Sequence, residues 1–301
     1  MAWSSPDSWA TRMFSGDPWV ILIAFLTTLA LPALLHLYFY TTSARVAHTP
    51  TIVLLGPANS GKTALLTLLQ QRSGKRERPE ASPTRASQVP TTTRLLLPSS
   101  VPLGSNKYRS KNDASLKDHE KNRVAYNIID TPGHGKLREE QALAQLQDPA
   151  VRGLIFVVDA GALDRNNPET LTEPASYLHD ALLALQLRKT GKGGSSVKTD
   201  VRVLIAANKQ DLFTATPPEK VKEILQTELE RVKESRRRGI STVGKEVDDD
   251  DDNVLGGAGE DKFSFEAMRE EYGIVIDVIG GSVRTAEPGV GKWEEWIGGL
   301  L

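Results

Sequence analysis

The segment that most constrains the fold is a glycine-flanked turn at residues 56–63. It lies between an apolar run, TIVLL at 51–55, and an amphipathic stretch at 62–72. The eight residues of the turn are Gly56, Pro57, Ala58, Asn59, Ser60, Gly61, Lys62 and Thr63. They match the pattern GxxxxGK[ST], which is informative where a strand precedes it and a helix follows it. Both conditions are met here, so the sequence predicts a phosphate-binding loop.

Each fixed residue of this loop has a role in phosphate binding. The glycines permit the turn and a close backbone approach, so that loop N–H groups and the helix N-terminus can surround phosphate oxygens. Lys62 is expected to reach the outer phosphates, and the Thr63 hydroxyl is expected to bind Mg²⁺.

Apolar runs alternate with amphipathic stretches along residues 50–301. The predicted strands are 51–55, 94–97, 123–129, 153–158, 201–207 and 274–279. The predicted helices are 62–72, 136–147, 169–189, 218–235 and 288–299. Continuous apolar runs rich in β-branched residues suit strands that are buried on both faces of a parallel sheet. The alternation therefore predicts an α/β fold with a doubly wound, mainly parallel six-stranded sheet.

A second polar segment, Asp130-Thr131-Pro132-Gly133, follows the strand predicted at 123–129. An aspartate at a strand end can approach Mg²⁺, and a glycine three residues later can offer its N–H to a terminal phosphate. The same four residues also form ordinary β-turns. Their position after the phosphate loop favours the magnesium and phosphate interpretation.

A third segment, Asn208-Lys209-Gln210-Asp211, follows the strand predicted at 201–207. The Asp211 carboxylate can accept hydrogen bonds from guanine N1 and N2, whereas adenine lacks this pair of donors. Asn208 is expected to connect the loops, and the stem of Lys209 is expected to cover one face of the base. Ligands in open α/β sheets bind at the carboxyl ends of strands. The three segments together predict a guanine-nucleotide site.

The N-terminal region contains 22 residues without Asp, Glu, Lys or Arg, from Trp19 to Tyr40. As a helix they span about 33 Å, enough for a hydrocarbon core of about 30 Å. The sequence therefore predicts a transmembrane helix at 19–40, a short lumenal segment at 1–18 and a linker at 41–49. The charges that flank the span hardly determine its orientation. GTP and Mg²⁺ are cytosolic, so the domain at 50–301 is expected to face the cytosol.

Composition excludes several classes of protein. The 37 basic and 38 acidic residues give a net charge of −1, so no direct binding of nucleic acid is expected. The chain has no cysteine, which excludes disulfides, thiolate metal sites and lipidation on cysteine. Four segments rich in polar residues, glycine or proline are expected to be solvated loop insertions. They lie near 74–90, 98–122, 190–199 and 236–262.

The segments GPANSGKT, DTPGH and NKQD resemble the first, third and fourth guanine-nucleotide boxes of small GTPases. Combined with an N-terminal membrane helix, they most resemble the beta subunits of signal recognition particle receptors, and the insertions suggest a fungal member. The likeness covers residues 50–301 and the anchor. It implies GTP and Mg²⁺ as ligands.

The resemblance also implies roles for residues outside these boxes. Thr91 or a neighbouring threonine up to Thr93 corresponds to the switch I threonine that binds Mg²⁺ together with Thr63 and Asp130. Thr91 is favoured because Pro90-Thr91 resembles the Pro-Thr pair of Arf-type GTPases. Ser282 occupies the position of the fifth box. His134 replaces the water-orienting glutamine of other GTPases. It either positions the attacking water or only packs within switch II.

For partners and location, the resemblance implies a single-pass protein of the endoplasmic reticulum membrane. The GTP form is expected to bind the receptor alpha subunit, which connects it indirectly to the translocation channel and the ribosome. Hydrolysis is expected to be slow and to depend on a partner.

Two other functions stay open from the residues alone. An Arf- or Sar-like coat-recruiting GTPase cycles on and off membranes, which a lipidated or amphipathic N-terminus would permit. A passive membrane anchor would keep GTP bound without turnover.

A permanent anchor predicts that the full chain stays with the membrane pellet after alkaline carbonate extraction. The reason is that a helix of about 20 apolar residues is buried in hydrocarbon along its length. A variant that starts at residue 49 should be released and serves as the control. Release of the full chain as well would contradict the anchor and favour the coat-recruiting alternative.

Overall fold

The computed structural model describes residues 18–45, 49–74, 87–104, 123–163, 167–191, 201–242, 254–256, 262–285 and 288–301. The chain divides into two units, Met1–His48 and Thr49–Leu301. The first unit consists, where it is described, of helix α1, Pro18–Arg45. The second unit contains the sheet and the remaining helices.

Helix α1 has 28 residues and includes Pro32. It extends beyond both ends of the predicted span at 19–40. Within the described residues, its segment Pro18–His36 alone is long and apolar enough to cross a membrane. Its large apolar side chains are exposed, with Trp19 at 71% and Phe25 at 66%. Both properties are consistent with a transmembrane anchor.

The second unit is built on a mixed six-stranded sheet with the order β2-β3-β1-β4-β5-β6. The strands are β1 Thr51–Leu55, β2 Thr91–Leu96, β3 Ala125–Asp130, β4 Val151–Asp159, β5 Arg202–Asn208 and β6 Ile276–Gly280. Strand β2 runs antiparallel to β3, and the other pairs are parallel. The predicted fold class is confirmed. Strand β2 begins at Thr91, three residues before the predicted start at 94.

Helices cover both faces of the sheet. They are α2 Lys62–Arg72, α3 Pro168–Thr190, α4 Pro218–Thr242, α5 Phe265–Tyr272 and α6 Gly291–Gly298. Alternate residues of β1 point to opposite faces: Val53 and Leu55 pack with α3, α4 and α5. Ile52 and Leu54 pack with α2 and α6. The strands are apolar on both faces because each face is buried under helices.

One predicted helix differs from the structure, and one observed helix was not predicted. The segment predicted as a helix at 136–147 consists of three short turns of 3₁₀ and π type, Gly135–Leu137, Arg138–Ala142 and Leu143–Gln147. Tertiary contacts hold both parts of this segment, since Arg138 forms an ion pair with Glu173 of α3 and Arg188 donates to the Leu146 carbonyl. Helix α5 was not predicted, although Ser264 caps its N-terminus through a hydrogen bond to the Ala267 amide.

Parts of two predicted insertions pack into the domain. Val101 and Leu103 lie against the α2 and α6 side of the core. Helix α4 continues through residues 236–242, and Leu255 is fully buried. Gln186 of α3 holds the short segment at 254–256 by hydrogen bonds to the Val254 carbonyl and the Gly256 amide. The rest of the predicted insertions, apart from 74, 87–90, 98–104, 190–191 and 262, lies outside the described residues.

Arg188 provides a test of how the segment at 136–147 is attached to helix α3. Its guanidinium is buried and donates to the carbonyls of Leu146, at 2.8 Å, and Val151, at 3.2 Å. Arg188→Ala should lower the free energy of unfolding by about 3 kcal/mol, because it leaves a cavity and two carbonyls that lose their partner. Urea unfolding of residues 49–301 measures this. The exposed Arg237→Ala is the control, and equal losses in the two variants would contradict the assignment.

Candidate guanine-nucleotide site

A cleft of about 660 Å³ lies at the carboxyl ends of β1, β3 and β5. The predicted site residues that line it are Ala58, Asn59, Gly61, Lys62, Thr63, Gly133, His134, Asn208, Lys209 and Asp211. Three segments that are far apart in the chain therefore meet in one cleft. Gly56, Pro57, Ser60 and Asp130 lie directly beside these residues without lining the cleft.

The phosphate loop adopts backbone angles that favour glycine. The φ angles are +141° at Gly56, +61° at Asn59 and +104° at Gly61. A Cβ atom at Gly56 would lie 2.2 Å from the Val157 carbonyl oxygen, and one at Gly61 would lie 2.3 Å from the Asn208 side-chain nitrogen. Asn59 is tolerated because asparagine adopts positive φ more readily than other side chains.

Lys62 is the buried cation of the site. Its ammonium group donates to the carbonyls of Gly56, at 2.8 Å, and Pro57, at 2.7 Å. Burial lowers the pKa of Lys62 to about 8, and the nearby Asp130 carboxylate opposes this shift. The ammonium group thus lies at the inner end of the phosphate loop, where it can meet phosphate oxygens.

Thr63 and Asp130 bring a hydroxyl and a carboxylate together beside the phosphate loop. The Thr63 hydroxyl donates to Asp130 Oδ2 at 2.8 Å. Asp130 Oδ1 is buried and has no hydrogen-bond partner within the described part of the chain. Burial raises the pKa of Asp130, whereas the Thr63 hydrogen bond and the Lys62 charge lower it. A carboxylate oxygen without a partner beside a hydroxyl suits Mg²⁺, which binds few protein oxygens and completes its shell with phosphate and water.

Gly133 lies directly against the phosphate loop. A Cβ atom at this position would lie 2.6 Å from the Lys62 ammonium nitrogen and 2.9 Å from the Ala58 amide nitrogen. The next residue, His134, is exposed, and its Nδ1 accepts a hydrogen bond from the Lys136 amide at 3.4 Å. Gly133 and His134 both line the cleft.

The base end of the cleft is formed by the NKQD loop. Asn208 Nδ2 donates to the Ser60 carbonyl at 2.8 Å, which connects this loop to the phosphate loop. Lys209 has a φ angle of +65°, and its ammonium group pairs with Asp159 at the end of β4. Asp211 is exposed on the wall of the cleft. Asp159 was not among the predicted site residues, and its place at a strand end was the signal that could have identified it.

Two further predicted site residues, Thr91 and Ser282, do not line the cleft either. Thr91 is exposed as the first residue of β2, opposite Asp130 in the antiparallel ladder, whereas Ser87 does line the cleft. Ser282 is buried, and its hydroxyl lies 3.1 Å from the Thr285 hydroxyl. Next to it, Val283 and Arg284 line the cleft instead.

The six-stranded sheet, the phosphate loop and the NKQD loop together define a protein of the small GTPase class. The family model of the signal recognition particle receptor beta subunit matches residues 47–271, and the chain belongs to that family.

Relatives and solved structures are consistent with this family. The Saccharomyces cerevisiae signal recognition particle receptor subunit beta is 31% identical over 92% of this chain and 94% of its own length. A solved SRb-GTP/SRX complex from Chaetomium thermophilum is 34% identical, covers 83% of this chain and 97% of that chain, and has a TM-score of 0.58. SRb-GDP-Mg from the same organism is 31% identical over 85% of this chain and 100% of that chain, with a TM-score of 0.58. These names support guanine-nucleotide and magnesium binding in the family.

The pKa of Lys62, lowered by burial to about 8, predicts a pH dependence of nucleotide binding. Phosphate oxygens favour the ammonium form, so bound nucleotide should raise this pKa. Above pH 8 binding then takes up a proton, and affinity for GDP should fall with rising pH, by at most about tenfold per pH unit. Calorimetry at pH 7 to 9 in buffers of different ionisation enthalpy measures the proton uptake. The exposed Lys220→Gln should not alter it, and a constant affinity without proton uptake would contradict the prediction.

Proposed function

We propose that this chain is the membrane-anchored, GTP-binding subunit of a signal recognition particle receptor. The observation that supports it most is the cleft in which Lys62 of the phosphate loop and Asp211 of the NKQD loop face one ligand site. The hydrogen bond from Asn208 to the Ser60 carbonyl sets the separation of these two loops. Family membership supports the same function.

We infer that the NKQD loop selects guanine. Asp211 is in position to accept from the N1 and N2 donors of the base. The ion pair with Asp159 holds the Lys209 side chain at the base end, where its stem can cover the ring. Adenine would leave the Asp211 carboxylate without these two donors, which disfavours it strongly.

At the phosphate end, we propose that loop N–H groups and Lys62 bind the phosphates. Thr63 and Asp130 are the proposed Mg²⁺ ligands, and Mg²⁺ neutralises charge on the outer phosphates when bound. The third proposed Mg²⁺ ligand is a hydroxyl from the segment that contains Thr91. Within this segment Ser87 is the better candidate, because it lines the cleft and Thr91 does not.

The proposed output of the site is partner binding. The Gly133 amide and the 87–91 segment would become ordered around the terminal phosphate, and hydrolysis would release them. The name of one solved relative, an SRb-GTP/SRX complex, supports a receptor partner for the GTP form. We therefore propose that the GTP form binds the receptor alpha subunit, and through it acts near the translocation channel and the ribosome.

Hydrolysis by this chain is proposed to be slow and to depend on a partner. His134 is exposed at the cleft, so its imidazole can orient a water molecule near the terminal phosphate. Arg138 already contacts Gly133, Glu173 and Tyr177, which makes it a poor candidate for an arginine finger.

We propose further that α1 anchors the protein in the endoplasmic reticulum membrane with the GTPase domain in the cytosol.

Asp211→Asn tests the guanine assignment by a change of specificity. The amide can still accept from N1–H and can donate to the C2 carbonyl of xanthine, whereas guanine presents only donors there. Affinity for GDP should fall by about a hundredfold or more, and xanthosine diphosphate should bind in its place. Titration of the detergent-solubilised full chain measures both affinities.

The same variant tests the partner. Binding to the isolated N-terminal domain of a receptor alpha subunit should require GTP in the wild type and xanthosine triphosphate in the variant. Asp148→Asn is the matched control, because Asp148 is exposed and distant in sequence from the site. Loss of GDP binding in Asp148→Asn, or unchanged GDP binding in Asp211→Asn, would contradict the proposal.

A further inference from the structure

The guanidinium of Arg138 contacts three groups, one in its own loop segment and two on helix α3. It donates to the Gly133 carbonyl through Nε, at 3.1 Å, and Nη2, at 3.0 Å. It forms an ion pair with Glu173 of helix α3, and it lies 4.4 Å from the ring centroid of Tyr177 on the same helix. The Arg138 side chain is 15% exposed. These residues are called the Arg138 cluster below.

The Arg138 cluster restrains the residue that approaches the phosphate loop most closely. The Thr131 hydroxyl donates to the Leu54 carbonyl of β1 at 2.6 Å, which fixes the start of the segment. Arg138 fixes its end at the Gly133 carbonyl, and Pro132 between them has a restricted φ angle. With both ends held, the conformations open to the Gly133 backbone, including its N–H, are restricted.

Helix α3 in turn provides a firm support for the guanidinium. The Tyr177 ring is fully buried and packs edge-on against Phe156 of β4, with ring centroids 5.5 Å apart. A guanidinium over a buried aromatic face gains a cation–π interaction. Glu173, by contrast, is 59% exposed. Exposed ion pairs add little to stability, so the Glu173 pair serves orientation more than folding.

We propose that Arg138, oriented by Glu173, is a positioning residue that holds the Gly133 amide toward the terminal phosphate and connects this contact to helix α3. The inference rests on the proposed GTP site and adds residues that no sequence motif identified. Its consequence is selective: the proposed contact of the Gly133 amide is with the terminal phosphate, which GDP lacks, so we expect triphosphate binding alone to depend on the cluster.

The test compares the affinity of the full chain in detergent for a non-hydrolysable GTP analogue with its affinity for GDP. Arg138→Gln should weaken binding of a non-hydrolysable GTP analogue by at least about tenfold, because hydrogen bonds from a charged donor are lost. Affinity for GDP should change by less than about twofold. Arg138→Lys keeps the charge but cannot donate twice in parallel, so its loss should be intermediate.

Glu173→Gln separates positioning from general stability. Its loss of analogue affinity should be smaller than that of Arg138→Gln, and the double variant should be no worse than Arg138→Gln alone, since both residues act through one contact. Thermal unfolding without nucleotide should be similar in wild type and Glu173→Gln. The exposed Arg237→Gln and Glu270→Gln are the matched controls and should behave as wild type.

Two outcomes would overturn the inference, and they differ from each other. Equal weakening of GDP and analogue in Arg138→Gln, or no weakening of either, would show that the cluster is only structural and would leave the proposed function intact. A wild-type chain that binds neither nucleotide would overturn the proposed function and this inference together.

Discussion

The close backbone approach at the phosphate loop is the constraint on which the rest of the site depends. Gly61 lies against the Asn208 side chain, and Gly133 lies against the Lys62 ammonium group, at separations that leave no room for a Cβ atom. These approaches bring three loops within reach of one nucleotide. They also bury Lys62, which is why its pKa falls to about 8 in the absence of phosphate. The site thus combines tight sterics with a buried charge that a phosphate would stabilise.

The order of the strands explains why those loops meet. Strands β3, β1, β4 and β5 are neighbours and run parallel, so the loops after β1, β3 and β5 open on the same edge of the sheet. Ligands of doubly wound sheets bind at such a switch point. On one flank, the Arg138 cluster connects Gly133 to α3. On the other, the pair of Lys209 with Asp159 holds the base loop against β4.

Much of this fold could be predicted from local patterns. All six strands and the helix at 62–72 were predicted from apolar runs and periodicity, although β2 begins three residues earlier than predicted. Strands buried on both faces are apolar throughout, which makes them visible in the sequence. Helix α5 was missed although its caps, Ser264 and Gly273, were visible in the sequence. The helical period at 136–147 was misleading, because this segment is a mixture of 3₁₀ and π turns instead of one α-helix. Arg188 and Gly133 form hydrogen bonds with it. Leu255 sits in a polar stretch, and only its burial against the core reveals its role.

The sequence by itself determined the class of site, because a phosphate loop, an Asp-x-x-Gly turn and an NKxD loop are short segments whose chemistry depends on adjacent residues. Tertiary structure decided which side chains from distant segments complete it. Arg138 and Glu173 are 35 positions apart, and Lys209 and Asp159 are 50 apart. Likewise, Thr91 pairs with Asp130 in the sheet, and Ser87 lines the cleft in place of Thr91. Such contacts follow from how strands pair and helices pack, and no local pattern encodes them.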